Sequence, residues 1–231
     1  DNDQNGFTDC ADFSCQDAVA ACTIDTTVVE AQGGTIEENT RIRLTDVVVT
    51  AVSQNNQKFW IQDAGGAAAF NGLYVFRPGS AGDLPATIVP GRTVTLVGNL
   101  DEFNGVLTEL TNVEIEDDTG VIATVETLDG IAIADLATDA QYEGVLVSVA
   151  AATVATGNNP ACSEAFSTFT LVNGATPLSA EEDIACHTVT PGQCYGTFTG
   201  VMHVNAFGDT PEIVVLPANG GLTLGGGACP L

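Results

Sequence analysis

From Arg41 onward the chain reads in steps of two, with apolar and β-branched residues alternating with polar ones and Gly, Pro and Asn punctuating the runs. That is the pattern of short half-buried strands. It predicts strands over 41–52 (RIRLTDVVVTAV), 58–63 (KFWIQD), 72–76 (GLYVF), 92–100 (RTVTLVGNL) and 105–115 (GVLTELTNVEI). A second set follows at 142–150, 166–172, 184–189, 195–204 and 212–216. Helical spacing is confined to ADFSCQDAVAAC (11–22), where Cys15 and Cys22 fall on one face beside Val19.

The two sets are copies. PGRTVTLVGNLDEFNGVLTEL (90–110) aligns with PGQCYGTFTGVMHVNAFGDTPEI (191–213), an offset of 191 − 90 = 101 residues. Each has a Pro-Gly turn, a strand running through Gly98 or Gly200, a Phe-bearing loop and a Glu-led strand. A period of that length indicates a duplicated domain, since solenoid repeats run roughly 20–50 residues. Five strands with a long first strand suit a small Greek-key barrel that hides its edges by closure. The expected fold is all-β, two tandem five-stranded OB-like barrels at 26–117 and 118–231 with a linker at 116–127, preceded by a short segment at 1–25.

That segment opens DNDQNGFTDCADFSC. Asp1, Asp3, Asn5, Asp9 and Asp12 stand at the ligand positions of a twelve-residue EF-hand-type loop, Gly6 permits its sharp turn, and Phe7 offers a carbonyl. The spacing predicts Ca²⁺. With Asp in place of Glu at the twelfth position and Cys10 and Cys15 flanking, the loop resembles those of dockerins and thrombospondin type 3 repeats.

Charge sharpens the expectation about partners. Lys+Arg number 5 against 30 Asp+Glu, net −25, and all five bases lie between Arg41 and Arg92. Phosphate backbones are bound by neutralising them with Lys and Arg, so this composition predicts no nucleic-acid partner. No apolar run approaches a membrane span and no signal peptide is retained.

The cysteines add the compartment. Seven of them (Cys10, Cys15, Cys22, Cys162, Cys186, Cys194, Cys229) fall at the two ends of the chain, without a C-x₂-C pair. They are disulfide candidates rather than zinc ligands, and they predict a secreted or cell-surface protein. The odd count leaves one thiol for a partner, with Cys229 in the GGGACPL tail a candidate.

Beyond the β pattern, the Q-D-x-x-G turn (62–66), VPGRTVTLVG (89–98) with EFNG (102–105), and YEGVLVSV (142–149) resemble the OB-like domains that accompany secreted bacterial endonucleases and cell-surface proteins. In such nucleases catalysis lies in a separate metal-dependent domain, and no segment here corresponds to one. His187 and His203 lack a nucleophile–base arrangement, so no enzyme is expected. Cys186 is expected in a disulfide and His187 on the surface. Trp60 and Phe59 are weighed as an aromatic binding face, with Trp60 better read as core. The acidic runs Glu114–Glu116–Asp117–Asp118 and Glu181–Glu182–Asp183 read as solvated faces, with weak extra cation sites the alternative.

The functional expectation is a non-enzymatic, calcium-binding structural protein that self-associates head to tail into an extracellular filament, its base-bearing first domain facing a base-free second one. A carbohydrate-binding adhesion module and an accessory region of a secreted nuclease are the alternatives.

Overall fold

A computed structural model describes residues 22–78, 82, 84–156, 168–187, 189–217 and 222–224. The calcium loop, with Asp1, Asp3, Asn5, Phe7, Asp9 and Asp12, lies outside the described residues, as do Cys10, Cys15, Cys162 and Cys229. Cys22, Cys186 and Cys194 are disulfide-bonded. No described helix is long and apolar enough to cross a membrane.

The fold is all-β, two tandem OB-like barrels. The first is built from β2 (Arg41–Val52), β3 (Lys58–Gln62), β4 (Leu73–Phe76), β5 (Arg92–Phe103) and β6 (Leu107–Ile122). Their pairing runs β2–β3–β4–β6–β5, and β5 closes back on β2, with β4–β6 the parallel pair. The second barrel repeats this order. Its strands are β8 (Leu146–Thr156), β9 (Thr168–Val172), β10 (Pro177–Glu181), β11 (Cys194–Asn205) and β12 (Thr210–Val215), closed by β11–β8 with β10–β12 parallel. Closure leaves few free strand edges.

The repeat extends further upstream than the sequence match. A short strand β1 (Ile24–Thr26) runs parallel to β2 and leads into helix α1 (Val28–Gln32). Its counterpart β7 (Leu128–Asp129) runs parallel to β8 and leads into helix α2 (Ile133–Leu136). The Thr27 hydroxyl and the Glu30 carboxylate cap α1 reciprocally, and Asp63 accepts from Val28 N at 2.9 Å, which pins the helix to the barrel. A last strand, β13 (Leu222–Leu224), pairs with β11.

Two expected boundaries change. The linker expected at 116–127 is strand as far as Ile122, because its carboxylates pair with arginines of the same barrel: Arg41–Glu114 (3.2 Å), Arg43–Glu116 (2.7 Å) and Arg92–Asp118. The strand expected at 184–189 is instead β10, at Pro177–Glu181. These same ion pairs engage Arg41, Arg43 and Arg92 within the first barrel rather than display them as a field for a second copy.

Gly98 and Gly200 occupy matching places, each at a point where the following strand crosses. A Cβ on Gly98 would lie 2.7 Å from the Thr111 carbonyl oxygen, and one on Gly200 would lie 2.5 Å from that of Val214. Backbone is the obstacle in both, so no rotamer change relieves it. Gly98→Ala and Gly200→Ala are each expected to cost about 2 kcal/mol or more in urea unfolding; an unchanged midpoint for either would count against the close crossing.

A third apolar layer joins the barrels. In each barrel one strand face fills the interior, as Phe59, Ile61, Leu73 and Val75 do in the first and Met202, Ile213 and Val215 in the second. The opposite faces of the same strands supply Trp60, Tyr74, Val201 and Val214 to the layer between them. Polar contacts frame it. Phe70 N donates to Gln141 O (2.7 Å), Thr108 N to Glu143 Oε1 (2.8 Å), and Gln54 Nε2 to Glu182 O (2.8 Å). Lys58 Nζ pairs with Asp183 Oδ2 at 2.5 Å.

The acidic run Glu181–Glu182–Asp183 is therefore buried at this junction rather than solvated, with exposures of 7%, 2% and 3%. His187 is also buried rather than on the surface, its N–H donating to Glu182 Oε1 at 2.6 Å.

Candidate functional site

The layer between the barrels is incomplete at one end, where it opens into a cavity of about 280 Å³. Period-2 geometry explains its walls. On β4, Leu73 and Val75 point into the first barrel, so Tyr74 and Phe76 project outward from it, their rings stacked at 6.5 Å. On β11, Met202 faces the interior of the second barrel and His203 lies toward Tyr74, their rings 5.0 Å apart. Trp60 lies behind these two lining rings, fully buried, 5.5 Å from Tyr74 and 6.1 Å from His203.

The mouth is made by two hairpin tips that occupy equivalent places in the repeat. Phe103 ends β5 and Phe207 stands in the β11–β12 turn, and their rings meet edge to face at 6.1 Å. Asn104 Nδ2 donates to the Ala206 carbonyl at 3.2 Å and joins the two tips. Phe207 is 89% exposed, an unusual position for a phenylalanine.

The polar lining comes from Lys58, Glu109 and Glu181. Lys58 is engaged by Asp183. Glu109 and Glu181 are 5% and 7% exposed, and among the described residues neither carboxylate has a hydrogen bond or an ion pair. Burial pushes Glu109 up to about 7, with Asp101 adding to it. Burial, then Glu212 and Asp183, push Glu181 up to about 8, with Lys58 acting the other way. Burial and the Lys58 ammonium push His203 down to about 3, so its ring is neutral, with Nδ1 buried and unpartnered. The Tyr74 phenol is pushed up by burial and then by the charges of Glu109, Asp183 and Glu181.

Of the residues singled out from sequence, Phe59 and Trp60 separate as neighbours on a strand must. Phe59 enters the first barrel's core and Trp60 the layer beneath the cavity. Cys186 is disulfide-bonded, its neighbour His187 is buried with its backbone N–H on Glu182, and His203 lines the cavity. Glu109, Tyr74 and Phe207 were missed, and Glu181 was read as part of a solvated acidic run. The available signal was the run of apolar residues on both strand faces in FWI (59–61) and LYVF (73–76), which marks strands covered on two sides. Two wider hollows, of about 510 and 620 Å³, lie elsewhere, and each holds at most one aromatic ring among its lining residues.

No protein-family model and no curated protein matches the chain. Among solved structures, it is similar to the Ifi202 HINa domain in complex with 20bp dsDNA, at 12% identity and a TM-score of 0.35 over 82% of this chain and 99% of that one. It is also similar to the p204 HINb domain, at 12% identity and a TM-score of 0.32 over 77% of this chain and 93% of that one.

These findings correct the functional expectation. The structures found are HIN domains, one of them in complex with DNA. Among the described residues, which do not include the loop at 1–12, no group of three or more His, Cys, Asp or Glu is placed to hold a metal ion. The calcium-stabilised extracellular filament built by head-to-tail self-association is withdrawn, together with the glycan-binding and nuclease-accessory alternatives and the exclusion of nucleic acid as a partner.

Proposed function

We propose that the protein is a non-catalytic binding module that takes a small organic ligand, or one apolar side chain of a partner, in the cleft between its barrels. The cavity itself carries this reading: about 280 Å³ of space with aromatic walls, a pair of phenylalanines at the mouth and a few buried polar groups. Ligand sites are concave, largely apolar and commonly found between domains. Large exposed rings beside such a cleft have no packing role to fulfil, which favours a contact surface. The absence of a nucleophile–base pair around the cavity supports binding rather than chemistry. Disulfides at Cys22, Cys186 and Cys194 suit an oxidising compartment.

The chain contains a single Trp, and Trp60 packs against Tyr74 and His203, two of the rings that line the cavity. Ligand entry is therefore expected to change the intrinsic fluorescence. A fragment screen read by that signal, alongside a 20-base-pair duplex and a single strand as separate arms, tests the proposal. Hits should weaken at least fivefold in Phe207→Ser, whose exposed ring contributes little to folding. Hits that leave Trp60 silent and bind Phe207→Ser equally well would place the site elsewhere, and binding of DNA alone would replace the small-ligand reading.

A further inference from the structure

Two carboxylates buried beyond nine-tenths, without partners and facing a cavity, are costly in an apolar setting. Glu109 on β6 and Glu181 on β10 come from different barrels and converge on the same space beside Tyr74. The rings of Tyr74, Phe76, Phe103 and Phe207 present π-faces or edges around it. A positive charge is the one kind of group that both features attract: carboxylates by Coulomb force and hydrogen bonding, rings by their quadrupole.

Resting on the cleft reading above, we propose that the ligand is an organic cation, an ammonium or guanidinium head on an apolar or aromatic body, with Glu109 and Glu181 receiving the head and the phenylalanines enclosing the body. A bare metal ion does not fit, since no three ligating groups are placed for one among the described residues. Lys58 does not compete for the site, because its ammonium is held by Asp183 at 2.5 Å. His203 does not compete either, because burial and Lys58 keep its ring neutral.

The charged and titratable groups facing the cavity or bordering it are Glu109, Glu181, Glu212, Asp183, Asp101, Lys58, His203 and Tyr74. In the empty cleft, Glu109 at about 7 and Glu181 at about 8 hold protons near neutrality. A cation favours their ionised forms, so binding releases protons and tightens as pH rises from 6 to 8.

The test compares 4-phenylbutylamine with 4-phenylbutan-1-ol, which match in size and differ in charge, by Trp60 fluorescence and by calorimetry in two buffers of different ionisation enthalpy. The amine is expected to bind at least tenfold tighter than the alcohol and to release protons. The double variant Glu109→Gln, Glu181→Gln should lose that tenfold advantage while binding the alcohol within twofold of the parent, which also shows that it is folded. Equal binding of amine and alcohol overturns the cation inference and leaves the cleft standing. Binding of neither overturns it as well, and the fragment screen then decides the cleft separately. A third arm, the blocked peptide acetyl-Gly-Lys-Gly-amide, identifies the source of the charge. Competition with the amine places the cation on a protein chain, and no competition makes it a free amine; either outcome, with amine preference intact, supports the inference.

Discussion

Replacing Gly72 by alanine is expected to undock the two barrels and to destabilise the protein by at least about 3 kcal/mol. A Cβ built on Gly72 would lie 2.1 Å from the Gly144 carbonyl carbon, 2.2 Å from Val145 N and 2.3 Å from Gly144 O. These are impossible separations, and every obstructing atom is backbone. The conflict is mutual: a Cβ on Gly144 would lie 2.5 Å from the Gly72 carbonyl carbon, and Gly144 has φ +71°. Relief requires the barrels to move apart, and the neighbouring cross-barrel bonds from Phe70 N to Gln141 O and from Thr108 N to Glu143 Oε1 would go with them. Thermal unfolding and limited proteolysis measure the loss. Gly105→Asn serves as the control, because Gly105 has φ +72°, a conformation Asn tolerates, and nothing within 4 Å of its added Cβ. A Gly72→Ala protein that melts like this control would mean that the barrels do not meet as described.

The second large effect is a pH dependence centred on Glu143. Its side chain is buried at the same junction, and burial pushes it up to about 8, with Glu102 adding and the hydrogen bond from Thr108 N acting in the opposite direction. In the unfolded chain a Glu titrates near 4.5. Between those values the folded state keeps a proton that the unfolded state has lost. Its contribution is complete below about pH 4.5 and fades as pH rises through 8. At about 1.4 kcal/mol per unit, the full loss is on the order of several kcal/mol. Glu143→Gln keeps the oxygen that accepts from Thr108 and removes the charge. It should match the parent in urea midpoint at pH 4.5 and exceed it clearly at pH 8.5. Parallel curves for the two proteins across that range would rule out a buried, raised Glu143, while the shared drift from the −25 net charge cancels in the comparison.

Most strands were legible in the sequence because alternation is a local signal: RIRLTDVVVTAV and RTVTLVGNL each carry it within one segment. PLSAE (177–181) does not. It is short and polar, and its place depends on β9 and β12 pairing with it from either side. EIEDDTG (114–120) reads as loop until Arg41, Arg43 and Arg92 are brought beside its carboxylates from other strands. β1 and β7 are too short to show a period at all.

The candidate site was less legible for a related reason. Trp60 reads as a core residue, and it is buried, but between two barrels rather than inside one. Glu109 and Glu181 lie 72 residues apart (181 − 109) on strands of separate barrels, and only tertiary packing brings them to one cavity. Solvated acidic runs are the ordinary case, so burial of Glu181, Glu182 and Asp183 leaves no trace in composition.

Only five residues, 123–127, separate the end of β6 from the start of β7. A tether that short holds its two barrels at an effective concentration on the order of millimolar, whatever the dilution outside. Two free chains meeting through the same surface would need tight complementarity to stay together. Here chain connectivity removes that demand, and so the junction can retain an open hollow and uncompensated acids that an independent dimer interface would have to fill or neutralise.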